Sequence, residues 1–234
     1  MGDKMIKFLY KDEDVLVIYK PSGIPTQADN SGQSDALTLS RDRLREMGED
    51  NSLWLVHRLD RVVSGVLVFA RNKKTATELS EFVKNHLLNK EYLAVVEGEG
   101  VDGLLEDYIY KDARINKAFI LKAKRGGAKE CSLECRTLAT IATDKGPRSL
   151  LSISLITGRF HQIRAQLSSR SLPIVGDRRY GSREGVGDYI ALASVGLTLP
   201  LSLGEQRVVK LPDITKYPWN IFSSETYERV KEDD

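Results

Sequence analysis

Cysteine, histidine, proline and long hydrophobic runs are all scarce in this chain, and each scarcity closes off a class of protein. The two cysteines among 234 residues, Cys131 and Cys135, share one strand-like segment and have no second pair near them. A disulfide framework is therefore excluded and the spacing fits no zinc site, so two buried thiols in a reducing compartment are expected. The three histidines, His57, His86 and His161, add no metal-ligand spacing. Seven prolines and 18 glycines are too few for a fibrous or low-complexity chain. An apolar run such as "GVLVFA" falls far short of the roughly 20 residues that cross a bilayer. The start, "MGDKMIKFLYKDED", is broken by charge and has no secretory core. No membrane partner and a cytoplasmic location are expected. Charge of one sign is missing as well: 35 basic against 33 acidic residues leave a net +2. A polyanionic partner would have to be met by local patches. There is no P-loop, no GxGxxG before a helix and no internal repeat.

What is present is the composition of an ordinary globular protein, 41% hydrophobic and 29% charged, long enough to bury a sizeable core. "VLVIY" (15–19), "VLVFA" (66–70), "KEYLAVVEG" (90–98) and "SLLSISLI" read as strands. So do "NKAFILKA", "SLECRTLATIA" and a final "YIALASVGLTLPL". A helix capped by Ser34 and stopped at Gly48 is expected, and a second one with a Thr75–Glu78 capping box. A third covers "TGRFHQIRAQLSSR" with Phe160, Ile163 and Leu167 on one face, and the tail "SSETYERVKEDD" is helical with a frayed acidic end. Strands outnumber helices, and the helices do not follow one per strand. This predicts a single α+β domain over 1–234 with a mixed, largely antiparallel sheet and peripheral helices.

Three clusters could carry chemistry. "HRLD" sets Asp60 among His57, Arg58 and Arg61 beside a core strand. A buried carboxylate is tolerated only when paired, and an arginine nearby keeps it ionised. An isolated Arg-x-Asp is most often a structural ion pair. "TGRFHQIR" crowds Arg159, His161, Gln162 and Arg164 at a helix start. Cations against the positive end of a helix dipole point to an anionic partner, either a phosphate or an internal aspartate. Tyr92 lies in a strand, where core packing is the common role and stacking on a base the sharper one. Basic residues also cluster at Lys122, Lys124, Arg125 and Lys129, and again at Arg170, Arg178, Arg179 and Arg183. The residues alone suggest chemistry on an anionic ligand with neither metal nor cofactor.

"HRLDRVVSG" resembles the HRLDxxTSG signature of the RluA class of RNA pseudouridine synthases. "KPSGIPTQ", "KEYLAVVEG" and "TGRFHQIRAQLSSRSLPIVGDRRYG" are similar to three further motifs of that class, in family order, and "ALAS…LTLP" matches a last motif more weakly. The resemblance spans residues 14 to 181 and implies the central cleft of that class. It implies isomerisation of uridine to pseudouridine in rRNA or tRNA, with Asp60 as nucleophile, Tyr92 as the active-site tyrosine and Arg164 as the cation paired with the aspartate. The bond exchange has no net oxidation or hydrolysis, so no cofactor is implied. His57, Arg58, Arg61, Arg159 and the two basic patches would serve RNA flipping and binding.

The chain departs from the pattern at Val63, Gln166, Ser171 and Ser194, where the family has Thr, His, Gly and commonly His. About thirteen residues precede the first motif, too few for the S4 RNA-binding module, so substrate choice would rest on the catalytic domain, expected to be a monomer. Two other readings compete. One is a non-catalytic RNA-binding or RNA-folding protein on the same fold, which has no use for a desolvated aspartate. The other is a glycoside or nucleoside hydrolase, which needs a second carboxylate in a suitable position.

Overall fold

The computed structural model describes residues 5–29 and 32–232. In chain order the elements are β1 (Lys7–Lys11), β2 (Val15–Lys20), α1 (Ala36–Glu46), β3 (Trp54–Leu55), β4 (Ser64–Ala70) and α2 (Lys73–Lys84). Then come β5 (Lys90–Glu97), β6 (Gly103–Asp112), β7 (Lys117–Leu121), β8 (Lys129–Ile141), β9 (Arg148–Leu155) and α3 (Gln162–Ser169). β10 (Leu192–Thr198), β11 (Arg207–Val209) and α4 (Ser224–Glu232) complete the chain. The sheet is mixed and mostly antiparallel, as the strand count predicts. The contacts separate into two compact units, residues 1–90 with 193–212, and residues 91–192 with 213–234.

In the first unit β1, β2, β4 and β10 lie side by side, with β3 on β4 and β11 on β10. Every pairing is antiparallel except β4 with β10. β2 and β4 are apolar on both faces, the pattern of strands covered on two sides. One core gathers Val15, Val17, Val66, Val68 and Leu197 under Leu79 of α2. Asp35, not Ser34, caps α1, its carboxylate accepting the Thr38 N–H. Asn72, not Thr75, caps α2. The Thr75 hydroxyl is drawn away from any capping box by Asp14, to which it donates at 2.8 Å.

The second unit is an antiparallel run in the order β5, β9, β8, β6, β7. Ile109, Ala118, Cys131, Ala165 and Tyr180 form a core between its strands and α3. Both cysteines are buried free thiols, and burial pushes Cys131 up to about 11 and Cys135 up to about 12. β6 is the strand that periodicity missed. In "GLLEDYIYKD" apolar and charged residues occur on both faces, since Leu104 and Tyr110 remain exposed while Leu105 and Ile109 are buried. α3 begins later than its apolar spacing suggests: His161 adopts a left-handed backbone at φ 52° and Phe160 stands outside the helix. β11 follows the strand expected to be last. α4 forms as expected, and the acidic end at 233–234 lies outside the described residues. Among the described residues no helix is long and apolar enough to cross a membrane.

Candidate active site

Asp60 stands in the loop that leads into β4, and the segment after β2 clamps that loop. The Thr26 hydroxyl donates to Leu59 O at 2.7 Å and accepts the Leu59 N–H at 3.1 Å, both buried. Gly23 N–H donates to Arg61 O at 2.7 Å, and Val63 N–H closes a turn onto Asp60 O at 3.0 Å. The backbone on either side of Asp60 is therefore tied down by "KPSGIPT". Gly65, at φ 127°, admits no side chain: a Cβ there would lie 2.0 Å from the Ser194 carbonyl oxygen, because β10 runs alongside Ser64 and Gly65. The Ser-Gly of the motif thus marks a close approach of two backbones. Ser194, one of the departures, keeps a buried hydroxyl that finds no hydrogen-bond partner among the described residues.

Beneath this loop lies Lys20, which the site assignment from sequence did not include. Its ammonium is wholly buried and donates to Pro21 O at 3.1 Å and Ile24 O at 2.9 Å. Burial pushes the amine down to about 7, opposed by the attraction of Asp60. His57 accepts the Val68 N–H on Nε2 at 3.2 Å. Burial, with the nearby charge of Lys90, pushes its imidazole down to about 3, so the ring is neutral with its proton on Nδ1. His57 therefore brings no positive charge to a phosphate. Arg58 and Arg61 are exposed.

In the second unit Tyr92 is nearly buried on β5, opposite Ile153. Arg164, 5% exposed, grips Asp177, 2% exposed, in a two-point pair: Nε donates to Oδ2 at 2.6 Å and Nη2 to Oδ1 at 3.0 Å. Its guanidinium also lies 4.9 Å from the centre of the Tyr180 ring. An internal aspartate, one of the two partners considered from sequence for this helix start, thus exists, and Arg164 is the cation that meets it. Sequence spacing held no sign of it beyond the Asp of "GDRRYG".

Gln162, expected to meet RNA, is 3% exposed and spends its amide inside the unit. Its Oε1 accepts from the Thr157 hydroxyl and the Arg159 N–H, while its Nε2 donates to Ser132 O and to Gln166 Oε1. Two acceptances and two donations fill its capacity, so it shapes the helix start and leaves no polar atom for a ligand. Gln166 extends the chain, donating to Leu105 O at 3.1 Å and to Asp107 Oδ2 at 2.7 Å, and Asp107 holds Arg170. The departure from histidine at 166 is accommodated by this network.

His161 Nδ1 faces the Tyr180 hydroxyl at 3.0 Å, and Arg159 donates through Nε to Glu130 O. Arg178 and Arg179 are exposed, and Arg179 donates to Ile115 O and Asn116 O. Lys124 and Arg125 are exposed in the β7–β8 loop, with Lys124 3.4 Å from Glu130. The first unit thus holds Asp60 with His57, Arg58 and Arg61, and the second holds Tyr92, Arg164 and the remaining cations.

A family model described as RNA pseudouridylate synthase matches residues 14–169. The chain is 31% identical over 233 residues to "Ribosomal large subunit pseudouridine synthase D" of Borreliella burgdorferi, covering 95% of this chain and 69% of the relative. It is 31% identical over 186 residues to "tRNA pseudouridine synthase C" of Haemophilus ducreyi, covering 75% and 74%. A solved structure, "Human RNA Pseudouridylate Synthase Domain Containing 1", shares the fold at a TM-score of 0.76 and 22% identity, over 99% of this chain and 96% of that one.

Proposed function

The chain belongs to the RNA pseudouridylate synthase family, and from that premise we propose how its residues convert uridine in RNA to pseudouridine. The observation that carries the proposal is the similarity to named pseudouridine synthases along nearly the whole chain. Asp60, Tyr92 and Arg164 stand at the motif positions within it. The reaction breaks the bond between N1 of uracil and C1′, turns the base, and joins C5 to C1′. The C5 proton is lost and N1 gains one, so atoms and electrons balance without a cosubstrate.

Asp60 is the nucleophile. Its carboxylate bonds to C1′ as N1 departs, or draws off the 2′ proton to give a glycal, and in either route it faces positive charge developing on the ribose. The clamp from Thr26 and Gly23 supports this role, because a pinned backbone carries no reorganisation cost at the moment of attack. Tyr92 stacks on the uracil and its hydroxyl relays the C5 proton. Arg164, held by Asp177, supplies a fixed cation. Arg58, Arg61, Arg159, Lys124, Arg125, Arg178 and Arg179 meet the RNA backbone, and His57 and His161 take part as rings. The protein works as a monomer in the cytoplasm, on a uridine of rRNA or tRNA.

Pseudouridine mapping of total RNA with and without the gene tests this reading. A site lost with the gene and restored by wild-type protein, but not by Asp60→Asn, is the expected outcome, with RNA affinity retained by the variant. A map without any missing site, and purified protein inert on unmodified rRNA and tRNA, would defeat it.

A further inference from the structure

The stretch "GDRRYG" in the second unit holds a tyrosine that none of the proposed steps uses. Tyr180 ends the single helical turn Arg178–Tyr180 and is 4% exposed. Its N–H donates to Asp177 O at 2.9 Å, so the Tyr180 ring and the Asp177 carboxylate leave the same turn. Gly176 precedes them at φ 89°, where a Cβ would lie 2.3 Å from Val186 Cγ2 and 2.9 Å from Tyr189 O. That close packing fixes where the turn begins. Its far end is tied to α3, because the Ser168 hydroxyl, four residues on from Arg164, donates to Tyr180 O at 2.6 Å.

One short turn therefore meets Arg164 twice. Asp177 takes Nε and Nη2 as a fork, and the guanidinium carbon stands over the Tyr180 ring at 4.9 Å from its centre. A two-point pair fixes the guanidinium along the line of its hydrogen bonds but resists less a swing about that line. The ring beneath opposes the swing. The ring is itself held at its tip: the Tyr180 hydroxyl accepts the Ala118 N–H of β7 at 2.8 Å in a buried bond and faces His161 Nδ1 at 3.0 Å. A hydroxyl with a partner on β7 and another at the start of α3 cannot move without breaking both contacts.

We propose that Tyr180 is a positioning residue for the conversion: with Asp177 it clamps the Arg164 guanidinium in one orientation, and its hydroxyl anchors the clamp to β7. The proposal rests on the role given to Arg164 above and adds the residue through which that role is kept. Arg164 is almost wholly buried, and a ring contact with a desolvated cation is worth about tenfold in rate. Tyr180 also belongs to the core between the strands and α3, so the test has to separate packing from positioning.

Tyr180→Phe removes the anchor and keeps the ring, Tyr180→Leu removes both, and each is made alone and together with Arg164→Lys. In single-turnover conversion of unmodified rRNA or tRNA transcript at saturating enzyme, the rate should fall about threefold in Tyr180→Phe and about tenfold in Tyr180→Leu. The enzyme concentration at half-saturation should move by less than about twofold. In the Arg164→Lys background, already slow, neither change at 180 should slow the reaction further, because the ring acts through the guanidinium. In the free protein the Arg164 Nε–H, assigned by its absence from Arg164→Lys, should exchange with water about tenfold faster in Tyr180→Leu than in wild type. The same losses on top of Arg164→Lys would overturn the proposal and leave Tyr180 a packing residue. So would an Nε–H that exchanges as slowly in Tyr180→Leu as in wild type. Should Tyr180→Leu fail to fold, Tyr180→Phe decides by the same two comparisons. A wild-type rate in Arg164→Lys would defeat the role of Arg164 and the clamp with it, whereas a slow Arg164→Lys beside a fast Tyr180→Leu would defeat the clamp alone.

Discussion

Replacing Lys20 by Met should change how stability depends on pH. Burial brings the amine down to about 7 in the folded protein, from an ordinary lysine value of 10.5. Between those values the unfolded chain binds a proton that the folded chain does not, so stability rises with pH by up to about 1.4 kcal/mol per unit. The desolvation penalty is fully present below the folded value and is relieved as pH climbs towards the unfolded one. From about pH 6.5 to about pH 9.5 the wild type should gain about 3 kcal/mol from this group alone. Lys20→Met lacks that gain, and leaves Pro21 O and Ile24 O without their donor at about 1–3 kcal/mol each. Urea melts of both proteins across this range report the difference, in which every other titrating group cancels. The gap between wild type and variant should widen in favour of wild type as pH rises. Parallel curves would refute the reasoning, because they would mean the amine is as well solvated in the fold as in the unfolded chain.

Other perturbations follow from single contacts. Gly65→Ala should cost about 3 kcal/mol or more in a urea melt, or prevent soluble folding, since its Cβ meets the Ser194 backbone. Thr26→Val keeps the shape but strips both hydrogen bonds from Leu59, so folding stability should drop by about 1–3 kcal/mol and single-turnover rate should fall while RNA affinity holds. In the second unit Arg148 donates to Glu184 and to the carbonyls of Lys145, Gly146 and Pro147, all about its nearly buried guanidinium. Arg148→Met alone should cost about 3 kcal/mol by leaving Glu184 with only the more distant Lys145 and the Tyr217 hydroxyl, and Glu184→Gln in the same chain should recover part of that loss.

Much of this protein was legible in one dimension. β2, β4, β5 and β9 are runs whose apolar content exceeds anything a solvated loop tolerates, and α2 shows one apolar stripe at Leu79, Phe82 and Val83. Local chemistry sufficed there because burial of a strand or stripe is written in residue type. The family motifs likewise singled out Asp60, Tyr92 and Arg164 as the residues proposed to act. β6 escaped because its alternation is blurred: Leu104 and Tyr110 stand on the open face, while Asp107 sits on the covered face, where Gln166 and Arg170 hold it.

What only the tertiary structure decided were the partners. Asn72 wins the cap of α2 because Asp14, 61 residues before Thr75 in the chain, takes the threonine hydroxyl. Gln162 turns from a candidate ligand-binder into a saturated brace because Ser132 and Thr157 arrive from other elements. His57 loses its charge, and Lys20 comes to face Asp60, through burial contributed by strands distant in sequence. A hydrogen bond or a desolvation depends on atoms brought within a few ångströms, and residue order alone does not say which atoms those are. Residue type determined which segments would be buried, and the fold determined what each buried polar group would find there.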